Sequence, residues 1–223
     1  MYQEVFQEQE GQLKFVGDFD RLYSNHADPW GQSGEGNDPV SEYYRASRCR
    51  LINLLRHEMT QWSYKGLEVG CGHGHVTDML SRAMPASRWM GLDISRVAIE
   101  QARMRYPRLP FAAGSICVPY LPQFLSPHWC DVIVLNQCLW YVIDNMSKAV
   151  DNCVMLLKPN GLLIISQAFL RENQRYATDI ANGFFGTQDM LRQRFQQFRL
   201  TAMNYADDPK HAHIDGLFAM RLK

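Results

Sequence analysis

From residue 66 onward, short apolar runs alternate with amphipathic stretches of helical period, and this alternation constrains the fold more than any other feature. LEVG (67–70), WMGLD (89–93), the weaker PFAAG (110–114), CDVIVLN (130–136) and LLIIS (162–166) each read as a strand. Helices are expected between them, at about 76–84, 95–106 and 147–157. Such alternation implies right-handed crossovers and a parallel sheet covered on both faces. The last stretch differs. RLTAMNYAD and HIDGLFAMRL read as two strands joined by a polar turn, an antiparallel hairpin at the edge of the sheet. The expected fold class is therefore α/β, doubly wound and mostly parallel, with a C-terminal antiparallel hairpin.

At 223 residues and 46% apolar composition the chain has the length and material for one sizeable core. One domain is expected over 1–223, with a cap or lid in 1–65 and an α/β core in 66–223. Lys plus Arg and Asp plus Glu are 23 each, so the net charge is zero. Nucleic acids and anionic membranes reward a basic excess, and neither is expected as a partner. The apolar runs are strand-sized, far short of a membrane span. No basic segment followed by an apolar stretch opens the chain, and with no CxxC pair among the cysteines, reduced thiols and a cytoplasmic location are expected.

The first dozen residues, rich in Gln and Glu, read as a frayed or loosely docked end. Residues 25–40, NHADPWGQSGEGNDPV, have loop chemistry. Trp30 in so polar a loop is either a surface plug or part of a lid over a pocket. A helix is expected to start at Asp38-Pro39, where Asp can cap and Pro suits the first turn, and to run to about His57.

The most informative stretch is GLEVGCGHGHVTDML, in which Gly70, Gly72 and Gly74 follow a strand and open a helix. Such a turn lets backbone amides approach a ligand at the carboxyl edge of the sheet. A dinucleotide fingerprint would need a small residue where His75 or Thr77 stands, so it does not fit. Glu68, just before the first Gly, suits a cation better than a pyrophosphate. Asp93 closes the second strand of the core, where a carboxylate can take both ribose hydroxyls. A ligand with a positive centre, a carboxylate and a ribose is indicated, and S-adenosylmethionine has all three.

ExGCGxG, Asp93 and LKPNG (157–161) ahead of the fifth strand together resemble class I S-adenosylmethionine-dependent methyltransferases. The resemblance runs from about 67 to 165. It implies a seven-stranded sheet and S-adenosylmethionine as cofactor. It also implies that Glu68, Gly70, Gly72 and Gly74 form the methionine side, with Cys71 among the cofactor-binding residues. Asp93 and Ile94 would form the ribose side, with Ser115 and Ile116 by the adenine. Ser115 stands where many members have Asp. Asn136 and Gln137 would face the cofactor, with Trp140 and Tyr141 facing cofactor or acceptor. Upstream, DPWG and SEYYRASR are similar to nodulation-type N-methyltransferases, in which an aromatic and basic helix closes over the cofactor. That likeness places Trp30, Tyr44 and Arg48 at the cofactor.

An amine acceptor needs only to be neutral, whereas a hydroxyl acceptor needs a base or a metal. Base candidates are His211, His213, Tyr141 and Glu172, with His213 and Tyr141 preferred. No third ligand accompanies the histidine pair, so no metal is expected. The expected activity is methyl transfer from S-adenosylmethionine to an amino or hydroxyl group of a small molecule, with amino sugars and biosynthetic intermediates among the candidates. Phe169, Phe184 and Phe185, within 167–195, would form a second wall. A monomer or homodimer is expected. The alternative is a catalytically inactive, S-adenosylmethionine-binding regulatory scaffold.

Overall fold

The computed structural model describes residues 2–119, 121–170, 193–209 and 213–223. Its seven-stranded sheet is built from β3 (Lys65–Val69), β4 (Arg88–Asp93), β5 (Phe111–Ala113), β6 (Cys130–Asn136), β7 (Leu157–Leu170), β8 (Phe198–Ala206) and β9 (His213–Leu222). Their order is β5-β4-β3-β6-β7-β9-β8. The pairs from β5 to β7 are parallel, and β9 inserts antiparallel between β7 and β8. The expected architecture is therefore present, hairpin included. The chain moves outward from β3 through β4 to β5, then returns to the other side of β3 with β6 and β7. That reversal opens a crevice at the carboxyl ends of β3 and β6, where open α/β sheets bind ligands.

The buried strands put alternate side chains on opposite faces. Val132 and Val134 pack with Leu51, Leu55 and Leu80 of the helices α2 (Pro39–Glu58) and α3 (His75–Ala83). Ile133 and Leu135 pack with Val150 and Leu156 of α5 (Met146–Leu156) on the other face. The helix ends follow local chemistry. Asp38 caps α2, accepting from the amides of Val40 at 2.9 Å and Ser41 at 3.1 Å, with Pro39 in the first turn. Ser95 caps α4 (Arg96–Arg105) by accepting from the Ala98 amide.

Two stretches depart from the sequence reading. The first dozen residues are not frayed: β1 (Phe6–Gln9) and β2 (Gln12–Phe15) form a hairpin. Glu10 and Gly11 both have positive φ, 51° and 80°, the geometry of a two-residue turn that matches strand twist. Val5 and Phe6 pack against Leu22 of a short helix, α1 (Phe19–Asn25), which the sequence reading also left out. The fifth strand of the core is longer than 162–166. β6 pairs Cys130 with Leu157 and then Val132 with Leu162, so Lys158-Pro159-Asn160-Gly161 bulge out of the ladder. Lys158 Nζ ties that bulge to Asp131 at 2.7 Å. Among the described residues, no helix is long and apolar enough to cross a membrane.

Candidate functional site

The turn after β3 is held by its own backbone and by Asp93. The Gly70 amide donates to the Leu92 carbonyl at 2.8 Å, and the Gly72 amide donates to Asp93 Oδ2 at 2.7 Å. Gly74 begins α3 at φ 79°, and a Cβ there would come within 2.6 Å of the Phe111 ring. At Gly72, φ is 51° and a Cβ would stand 2.7 Å from the Tyr23 hydroxyl. Both positions favour glycine, which has no Cβ to meet these neighbours.

The carboxyl edge of the sheet opens into a cavity of about 730 Å³. Its floor includes Gly70, Asp93, Ile94, Ser115, Ile116 and Asn136. Trp30, Tyr44, Gln137, Tyr141 and His213 are on its wall as well. Eleven of the candidate positions are thus brought together from β4, β6, β9, α2 and the loops between. Glu68, Cys71, Gly72, Gly74 and Arg48 are not on the wall. Glu68 faces inward, accepting from Thr77 Oγ1 at 2.5 Å, and burial pushes its carboxyl up to about 8. Cys71 packs with Ile99, Ala102 and Phe111 under the turn, where burial drives its thiol far above the usual range. His211, Glu172, Phe184 and Phe185 lie outside the described residues.

Asp93 is buried, and desolvation raises its carboxyl above the ordinary value even though the Ser95 and Gly72 amides oppose the shift. Each oxygen accepts one amide, Oδ1 from Ser95 at 2.9 Å and Oδ2 from Gly72 at 2.7 Å. A carboxylate oxygen has capacity for a second donor, so a diol on the cavity side is a matched partner. Arg48 supplies the complementary charge. Its Nη1 donates to the Ser33 carbonyl at 3.2 Å, while Nε and Nη2 are shielded from solvent and meet no acceptor among the described residues. The guanidinium lies 5.8 Å from the centre of the Tyr44 ring, which does line the cavity. Burial lowers its pKa, with Glu68 opposing. Two unmet buried N–H groups fit an anionic ligand group such as a carboxylate. Glycines without Cβ, a carboxylate with spare acceptors and an Arg with spare donors together fit the chemistry of S-adenosylmethionine.

Beside this floor is a polar cluster that sequence reasoning missed in part. Tyr43 donates to Asp215 Oδ1 at 2.8 Å, and Arg50 pairs with Oδ2. Gln137, at φ 55°, donates through Nε2 to Tyr43 Oη at 3.0 Å and to Asp215 Oδ1 at 3.2 Å. Its Oε1 accepts from the Ala168 amide at 2.7 Å. The His213 ring stands edge-on to Tyr43, centroids 4.5 Å apart. Asp215 was legible only as the polar interruption in an apolar strand.

The opposite wall is aromatic. Around Tyr141 stand Phe19 at 5.1 Å, Trp30 at 5.9 Å, Phe15 at 6.1 Å and Phe6 at 6.2 Å between ring centroids. Tyr23 reaches from α1 across the glycine turn and lies on the wall too. Asp20 of α1 fastens this segment to the core, its Oδ1 accepting from Ser95 Oγ at 2.7 Å and the Val97 amide at 3.2 Å.

A methyltransferase-domain family model matches residues 67–163. Trans-aconitate 2-methyltransferase of Enterobacter sp. (strain 638) is 33% identical over 99 residues, 44% of this chain and 37% of that protein. The chain thus spans little more than a third of that relative's length. Among solved structures, N-methyltransferase NodS from Bradyrhizobium japonicum WM9 in complex with S-adenosyl-L-homocysteine superposes with a TM-score of 0.68 at 21% identity, over 91% of this chain and 98% of that one. A putative sarcosine dimethylglycine methyltransferase from Galdieria sulphuraria gives 0.69 at 14% identity, over 92% and 98%. At those identities the likeness is one of fold. With the sheet order and the turn bonded to Asp93, residues 67–163 match a methyltransferase domain on a fold shared with these methyltransferases.

Proposed function

We propose that this chain methylates an amino or hydroxyl group of a small-molecule acceptor, using S-adenosylmethionine. The observation that carries the reading is the shared cavity wall of Gly70 and Asp93, with a large aromatic extension beyond it. That extension gives space for a second ligand and favours an enzyme over a regulatory scaffold that only binds the cofactor.

When bound, the cofactor supplies a methyl group carried on a positively charged sulfur. Asp93 accepts the ribose hydroxyls, and Arg48 meets the carboxylate. Ile94, Ser115 and Ile116 border the adenine, and Asn136 and Gln137 face the methionine end. Glu68, Cys71, Gly72 and Gly74 serve the site from beneath, by fixing the turn. The 1–65 segment acts as a cap on the 66–223 core, excluding water through Trp30, Tyr44 and Tyr141. Orientation and water exclusion are the main tasks in such a displacement. For a hydroxyl acceptor, His213 is the group that holds the released proton, with Tyr43 packed against its ring. Tyr141 bounds the acceptor and serves as a second hydroxyl-bearing candidate.

The test is turnover of S-adenosylmethionine to S-adenosyl-homocysteine against a panel of phenols, amino acids and amino sugars. Methylation of one class is expected. Tight cofactor binding with no turnover on any acceptor would support the scaffold instead.

A further inference from the structure

We infer that the acceptor is a planar aromatic molecule with one polar reacting group, held by its ring against Tyr141 and Phe15. The inference rests on the proposed methyl transfer, whose acceptor class it narrows. The cavity wall combines polar groups, Asn136, Gln137 and His213 among them, with the rings of Phe6, Phe15, Phe19, Trp30 and Tyr141. The aromatic residues come from the N-terminal hairpin, α1 and the loop after it, so three separate pieces of chain converge on Tyr141 in the turn after β6. Phe6, Phe19, Trp30 and Tyr141 pack with Val5 and Leu22 in one hydrophobic cluster and also line the cavity. Phe15 remains 39% exposed and the neighbouring Val16 42%, so the aromatic wall is open to a ligand and to water. Ring faces and edges of this sort reward another ring, offset or edge-on.

Charge points the same way. Among the described residues on the wall, Asp93 is the one with a fixed charge. Arg50 is already paired with Asp215, and Arg48 is assigned above to the cofactor's carboxylate. A tricarboxylate would lose its hydration here with no cation on the described wall to replace it. An aromatic body ending in one hydroxyl or amine uses both kinds of group, its ring on Tyr141 and its polar group toward Gln137 and His213.

The test is calorimetric titration of 2-naphthol, trans-aconitate, glucosamine and choline into the full chain, with and without saturating S-adenosyl-homocysteine. Saturable binding of 2-naphthol in preference to the other three is expected. In Phe15→Ala its affinity should fall at least fivefold more than that for S-adenosyl-homocysteine. Because Phe15 is half-exposed, this variant spares the core, and Tyr141→Ala gives a second reading of the same wall. Failure of 2-naphthol to bind would overturn the inference, as would tighter binding of trans-aconitate, glucosamine or the choline cation. Failure of S-adenosyl-homocysteine alone would instead overturn the cofactor reading, and 2-naphthol binding without it still tests the aromatic wall.

Discussion

The Tyr43 hydroxyl donates to the Asp215 carboxylate at 2.8 Å, joining α2 to β9 across 172 positions of sequence. The same carboxylate pairs with Arg50 and accepts from Gln137, so one buried group ties the N-terminal segment to the carboxyl edge of the sheet. Removing one partner from a buried charged network leaves the others unsatisfied. Tyr43→Phe is expected to lower unfolding stability by about 1–3 kcal/mol, read from urea denaturation. An unchanged midpoint would mean that water replaces the hydroxyl without cost.

Asp93 does two jobs, holding the Gly72 amide and presenting its remaining acceptor capacity to the cavity. Asp93→Ala should weaken S-adenosyl-homocysteine at least tenfold, about 1.4 kcal/mol. Calorimetry checks it, with circular dichroism to show that the sheet survives.

Gly74 combines positive φ with a space already taken by Phe111. In Gly74→Ala, strain of about 1–3 kcal/mol is expected from the backbone alone, before the ring has moved. Thermal unfolding measures the sum. Relief by the double variant with Phe111→Leu would show how much of it is the contact.

Two buried groups give stability a defined pH dependence. Glu68 keeps its proton up to about 8 in the folded chain, against 4.5 ordinarily. Between those values the folded state binds more protons than the unfolded one, so this group's contribution falls as pH rises. His75 behaves oppositely: burial lowers its pKa from 6.5 to about 4, so its contribution rises with pH across that window. The two oppose each other below about pH 6.5, and the Glu68 contribution goes on falling from there to about 8. Stability should decline over that upper window, and Glu68→Gln should flatten the decline. A decline that persists unchanged in the variant would assign it to another group.

The sheet was legible because its signals are local. VIVL within CDVIVLN is continuously apolar since the middle of β6 is buried on both faces, and Asp38-Pro39 and Ser95 announce their helices by capping chemistry. Gly70, Asp93 and the other floor residues were legible because a turn and a strand end carry their chemistry in a few adjacent positions. The N-terminal hairpin was not, since Gln- and Glu-rich strands with one exposed face look like solvated coil, and Glu10-Gly11 is a modest turn signal. Tyr43 and Asp215 were hidden for a different reason. Their pairing exists only once α2 crosses β9, and nothing within either segment refers to the other. Glu68 was legible as a carboxylate beside the turn, but its direction depends on Thr77, which the strand-to-helix packing brings to it.

The most direct measurement is calorimetry of the full chain with S-adenosylmethionine and, separately, with NADH. Saturable one-to-one binding of S-adenosylmethionine, lost or greatly weakened in Asp93→Ala, with no heat from NADH, is the expected result. Binding of NADH without binding of S-adenosylmethionine would contradict the assignment of the Gly70–Asp93 cavity as a methyltransferase cofactor site.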